Sequence, residues 1–180
     1  MKATDLLKKQ HRKVEGLFSK LEKGGKDRSE LITELANDLA AHMAIEQAIF
    51  YPAVREIDPE MVGESYEEHA IAEMALKRLL ATELDQATFK PKLVALKELI
   101  EHHVEEEEEE LFPEVEEKME SEELESLGDE MQAAFEEASE SGYEALLPEG
   151  LTASGDSANQ GATASGRSQG SKRGARRTPS

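Results

Sequence analysis

The chain has 180 residues, enough for one domain with a sizeable core and a tail, and a formal net charge of −19. It has no cysteine, which excludes disulfides, thiolate catalysis and Cys-based zinc or iron–sulfur sites. Residues 151–180 carry five Lys/Arg and one Asp, leaving 16 basic and 39 acidic residues, a formal −23, for residues 1–150; so acidic a body repels nucleic acid and anionic membrane, and neither is an expected partner of the folded part. No run of eighteen apolar residues occurs, and the start, Met-Lys-Ala-Thr-Asp-Leu-Leu, has no signal-peptide core, so a soluble cytoplasmic protein is expected.

The spacing of apolar residues predicts a first helix over Thr4 to Lys23, with Leu7, His11, Val14, Phe18 and Leu21 on one face and Gly24-Gly25 as the stop. A second helix should start near Asp27, whose side chain could cap the free amides with Glu30 three residues on, and continue to about Ile57. Its seam reads Leu35, Leu39, His42, Glu46, Ile49, Ala53. Asp58-Pro59 then breaks the pattern. The third helix places Val62, Tyr66, His69, Glu73, Leu76 and Leu80 on one face and ends near Asp85. The fourth runs from about Phe89 to Met119 along Leu93, Leu96, Ile100, His103, Glu107 and Leu111, and Ser121 could cap a shorter fifth helix ending before Gly142.

These elements predict an all-α fold: an up-down-up-down four-helix bundle over residues 1–120, an additional helix over 121–145 and a tail over 146–180. From Leu151 onward the chain is dominated by Gly, Ser, Ala, Thr and Gln and should be disordered, with Lys172-Arg173 and Arg176-Arg177 as a basic cluster. Pro52 and Pro113 fall late in helices two and four, each six residues after a seam glutamate, where the missing amide hydrogen bends or stops a helix. Their matched placement argues that the two halves share a backbone plan.

The chemistry sits in the seams. His42-Met-Ala-Ile-Glu46-Gln-Ala-Ile-Phe-Tyr-Pro52 and His103-Val-Glu-Glu-Glu107-Glu-Glu-Glu-Leu-Phe-Pro113 both read His-x3-Glu-x5-Pro. A histidine and a glutamate four apart share a helix face, so both can reach one ion from a rigid element. Each repeat is preceded by one more seam histidine, His11 and then His69. A lone seam histidine is usually a hydrogen-bonded core residue, but four at matched depth, with Glu46, Glu107 and Glu73 and no seam Lys or Arg to pair them, point to metal. Imidazole and carboxylate without thiolate suit iron, manganese or zinc, and six or seven ligands exceed what one tetrahedral zinc uses, so two ions are expected. One carboxylate from each His-x3-Glu helix could bridge them. His102 lies about 100° from His103, and the distance to the proline favours His103 as the seam residue.

With Phe-Tyr-Pro and Leu-Phe-Pro closing the repeats, and with the stretches HRKVEGLF, EQAIFYPAVRE, EEHAIAE and IEHHVEEEEEELFPEV, residues 1–120 resemble the bacterial hemerythrin-like (HHE) cation-binding domain family. The resemblance implies a four-helix bundle with a non-haem di-iron centre that binds or senses oxygen, nitric oxide or peroxide, or handles iron. It also implies His11, His42, His69 and His103 as terminal ligands and Glu46 and Glu107 as bridges. Oxygen carriers of that family have His-x3-His on the third helix, where this chain has His69-x3-Glu73, and that departure puts reversible oxygen carriage in doubt. Glu73 is open to three roles: seventh ligand, acceptor from a ligand histidine, or a water-facing residue. Two rival readings accompany the binding protein, a di-iron enzyme consuming peroxide or nitric oxide and a metal-free helical interaction module.

Overall fold

The structure, a computed structural model, describes residues 1–24 and 27–147. The predicted tail, apart from its first two residues, lies outside the described residues. Among the described residues there are helices and no strands, and the four predicted helices are present as a bundle. Helix α1 spans Ala3–Lys23 and stops at Gly24, whose positive φ of 72° suits a residue without Cβ. The second bundle helix is continuous but composite: α2 (Arg28–Ile45), one π-helical turn (Glu46–Phe50) and α3 (Tyr51–Val54). Asp27 occupies its N-cap position, but the side chain makes no capping bond. Helix α4 (Pro59–Leu80) starts with Pro59 in its first turn and with Asp58 Oδ1 accepting from Met61 N at 3.0 Å. The fourth bundle helix repeats the composite plan: α5 (Phe89–Glu106), a π turn (Glu107–Leu111) and α6 (Phe112–Lys118). Helix α7 (Ser121–Ser141) ends before Gly142 as expected, yet at 21 residues it is as long as α1. Its N-cap is Glu120 rather than Ser121, with Glu123 accepting from the Glu120 amide at 3.3 Å. One turn, α8 (Tyr143–Leu146), follows.

Helix α1 packs on α2 and α5, α4 packs on α5 and α2, and α7 lies across α1 and α2. Two apolar layers form the core. One is built from Val14, Phe18, Leu35, Leu39, Leu76, Leu93 and Leu96 among others, and the second from Leu6, Leu7, Phe50, Val54, Phe112, Val115, Leu124 and Met131. Each such side chain, fully buried, contributes about 1.5–3 kcal/mol of transfer free energy. His11, between Leu7 and Val14 in sequence, and its three partners fall between these layers, so the polar site is closed by hydrocarbon on both sides.

The two prolines act through the π turns. Each turn begins at the seam glutamate and ends two residues before the proline, and the amides of Tyr51 and Phe112 bond back five residues to the carbonyls of Glu46 and Glu107. In that register the Gln47 carbonyl would receive the amide of residue 52, a proline that has none, and the Tyr66 hydroxyl donates to it instead at 3.0 Å. The extra residue in the first turn corrects the predicted seam. Ile49 and Ala53 are not fully buried; Phe50, Tyr51 and Val54 are. In α4 the buried line is Val62, Ser65, His69, Ala72, Leu76 and Leu79, so Tyr66, Glu73 and Leu80 stand to one side of the predicted face.

Candidate metal centre

Each pair of neighbouring helices delivers one pair of imidazoles. His11 of α1 and His42 of α2 meet edge to face with ring centroids 4.9 Å apart, and His69 of α4 and His103 of α5 do the same at 4.7 Å. The seam carboxylates lie between the pairs. Glu46 Oε2 is 3.1 Å from His42 Nε2 and 3.4 Å from His69 Nε2, while Glu107 Oε2 is 3.4 Å from His11 Nε2 and 3.7 Å from His103 Nε2. Each carboxylate thus touches one histidine of each pair. All six residues are at most 5% exposed. Their ligand atoms fall into two groups, His11–His42–Glu46–Glu107 and Glu46–His69–His103, each close enough to share an ion.

Three of the four outer ring nitrogens face acceptors. His11 Nδ1 faces Glu108 at 2.8 Å, His42 Nδ1 faces Gln10 Oε1 at 2.8 Å and His103 Nδ1 faces Glu68 at 2.8 Å. An acceptor at Nδ1 fixes the proton there and leaves the Nε2 lone pair aimed inward, the arrangement a metal-bound imidazole requires. Four inner atoms are the opposite case: His11 Nε2, both Glu46 oxygens and Glu107 Oε2 are buried without a hydrogen-bond partner. A buried unpaired carboxylate oxygen costs several kcal/mol, so the donor set fits a multivalent cation held among these atoms.

Glu73 does not join the cluster. Its Oε1 is 3.2 Å from the Gln47 amide nitrogen, which is itself 3.2 Å from His69 Nδ1, so Glu73 reaches that ring only through Gln47. The inward place one turn after His69 belongs to Ala72. Reading the sequence alone missed Tyr51. Its buried hydroxyl donates to Glu107 Oε1 at 2.9 Å and lies 3.1 Å from His69 Nε2 and 3.4 Å from His103 Nε2. The matching position in the second repeat is Phe112, whose ring lies parallel to His11 at 6.0 Å. One half of the centre therefore has a phenol where the other has an aromatic face. The signal was present in the repeat alignment, Tyr-Pro against Phe-Pro, but only the π turn rotates that residue inward. Gln10, Gln47, Glu68 and Glu108 were also missed, because nothing in the spacing marks a residue beside a ligand as its partner.

Burial governs the electrostatics without metal. It pushes the Glu46 carboxyl well above its usual range, helped by the charge of Glu107. Burial opposes ionisation of Glu107 too, but the surrounding imidazoles, His103 foremost, hold it low. His42 is pushed well below the ordinary imidazole value by burial and by His11, and His69 falls to about 3 by burial and by His103. Burial also lowers His103, yet Glu107 and Glu68 outweigh it and raise the net value. Tyr51 is driven well above its ordinary value by burial and the two carboxylates. Two carboxylates this close do not both ionise comfortably without a cation.

The family description "Hemerythrin HHE cation binding domain" matches residues 2–115. The chain belongs to this family. A crystal structure of a hemerythrin HHE cation binding domain-containing protein from Mycobacterium kansasii superposes with a TM-score of 0.71 at 29% identity, covering 78% of this chain and 89% of that one. A curated relative, a DNA nickase from Nostoc sp., is 28% identical over 137 residues, which is 74% of this chain. The chain spans only 39% of that relative's length. As an HHE cation-binding domain, the bundle carries a His/Glu cluster suited to a metal cation.

Proposed function

We propose that this HHE domain is a non-haem di-iron protein that binds or senses a small molecule such as oxygen, nitric oxide or peroxide. The observation that carries the reading is the pair of imidazole pairs with Glu46 and Glu107 between them, with His11 Nε2, both Glu46 oxygens and Glu107 Oε2 buried and unpaired. His11 and His42 would hold one ion, His69 and His103 the second, and the two glutamates would be shared. Bound iron would supply one-electron redox chemistry and a coordination position for the exogenous molecule. Around it the chain's own groups orient and exclude. Gln10, Glu68 and Glu108 fix three imidazoles, Phe50 and Phe112 close the centre to water, and Tyr51 holds a proton on its oxygen beside Glu107. The metal-binding unit would be residues 1–120, with α7 as a buttress outside it.

Tyr51 also favours a second reading, turnover of peroxide or nitric oxide, because a buried O–H donor beside the centre can protonate a small anion. The DNA-directed activity of the longer relative is not carried over, since the charge of residues 1–150 opposes approach to a polyanion. Anaerobic titration with ferrous iron, followed by air and monitored by absorption, tests the proposal. Saturation near two irons per chain is expected, and a well-folded preparation that saturates at one rejects the dinuclear centre. Consumption of peroxide or nitric oxide at stoichiometric iron would select the second reading.

A further inference from the structure

A separate group of metal-ligating side chains sits at the surface beside the buried centre. His102 and Glu106, four residues apart on α5, have Nε2 and Oε1 3.3 Å apart, and Glu68 of α4 brings its Oε1 to 3.9 Å from the same nitrogen. Ligand atoms of the three lie within 4.8 Å of one another. Two ligands about 2.0–2.1 Å from a tetrahedral zinc are about 3.3–3.4 Å apart, so the His102–Glu106 pair already has that separation. The Glu68 distance closes by a small rotation of a side chain that is 20% exposed. Glu64, one turn before Glu68 on α4, adds its charge to Glu106. Among the described residues no lysine or arginine pairs with Glu68 or Glu106; their ionic partners are His102 and His103. One imidazole thus faces a crowd of carboxylates with no fixed cation to balance them.

We propose that Glu68, His102 and Glu106 form a surface site for one divalent transition-metal ion such as zinc, distinct from the buried centre and completed by water. An imidazole with two carboxylates and an open position suits zinc, manganese or ferrous iron. The site is joined to the interior by one carboxylate. Glu68 Oε1 faces the surface ion and Glu68 Oε2 accepts from His103 Nδ1 at 2.8 Å. An ion at the surface therefore draws on the carboxylate that orients a histidine of the buried cluster. His102 is 63% exposed, so the site exchanges ions with solvent freely, and the interior does not. That combination makes it a loading station. This role, unlike the site itself, rests on the proposed buried centre.

Iron-loaded protein, dialysed to leave only slowly exchanging metal, is titrated with zinc by calorimetry at pH 7.5. One further zinc per chain is expected, and His102→Ala should lose it while retaining its iron and its melting temperature. No extra zinc in the parent protein, or an undiminished zinc isotherm in His102→Ala, overturns the site. Glu106→Gln, which keeps the shape and removes the charge, should lose the zinc as well, and unchanged binding there overturns the assignment of Glu106. For the loading role, stopped-flow uptake of ferrous iron by metal-free protein should slow several-fold in His102→Ala with the final iron content unchanged. Equal uptake rates overturn the role and leave the zinc result to decide the site. If the buried centre itself is wrong, the parent protein holds no slowly exchanging iron, which is read before any zinc is added.

Discussion

His103 and His102 are neighbours with opposite surroundings, one 4% exposed between buried Glu107 and partly exposed Glu68, its neighbour 63% exposed at the surface. Replacing His103 with Ala removes an inward nitrogen and one of the imidazoles that hold Glu107 ionised, so iron content should fall sharply. His102→Ala should leave slowly exchanging iron nearly intact. Metal analysis after dialysis checks this, and the larger loss at His102 would contradict the placement. The pH response of the metal-free protein follows from the same groups. His42 and His69 stay neutral in the folded chain far below the value at which the unfolded chain protonates them, about 6.5. The unfolded state then binds more protons, so their contribution is complete above pH ~6.5 and is lost as pH falls, for His69 down to about 3. Glu107, held low, loses its contribution in the same direction, whereas Glu46 and His103, both raised, have the opposite sign. We expect the melting temperature of metal-free protein to drop from pH 7 to pH 4, and a flat profile would contradict it. If Glu46 bridges the ions as proposed, metal uptake ionises it, so uptake should release protons and affinity should rise with pH.

At the scale of elements, the composite helices decide which residues point inward. The faces of α1 and α5 were legible because they are uninterrupted α-helix: Leu7, His11, Val14, Phe18 and Leu21, and Leu93, Leu96, Ile100 and His103, are all buried as the spacing requires. Beyond Glu46 the same reasoning pointed to Ile49 and Ala53, since period 3.6 cannot anticipate a turn with one residue too many. That turn brings Tyr51 to the centre, and for the same reason the phenol escaped notice. The α4 seam was read one column off, which drew Glu73 in and left Ser65 and Ala72 out. Two measurements probe the turns. Tyr66→Phe removes the donor to the Gln47 carbonyl and should cost about 0.5–1.5 kcal/mol in denaturant unfolding. Tyr51→Phe makes the two halves alike at this position; in the proposed di-iron form the two Mössbauer signals, expected to be distinct in the parent, should become more similar, and unchanged spectra would mean the phenol does not distinguish the two halves.

At the scale of the molecule, α7 completes what the four helices begin. It covers α1 and α2, contributes Leu124 and Met131 to one apolar layer, and at Gly128 comes so close to the start of α1 that a Cβ there would stand 2.1 Å from the Met1 carbonyl oxygen. The neighbouring contacts, 2.9 Å to Ala3 N and to Lys2 C, are also backbone, which cannot swing aside as a side chain would. Gly128→Ala should therefore destabilise by about 1–3 kcal/mol, read as a lower denaturation midpoint, and should lift α7 before it disturbs the metal. A parent-like midpoint would mean that α7 shifts at no cost. Ala3, Leu6 and Leu7, which help form the layer that α7 seals, are synthesised long before Gly128 leaves the ribosome. Until α7 has emerged that patch is bare, and hydrocarbon left uncovered in this way is what makes a partly made chain prone to aggregate.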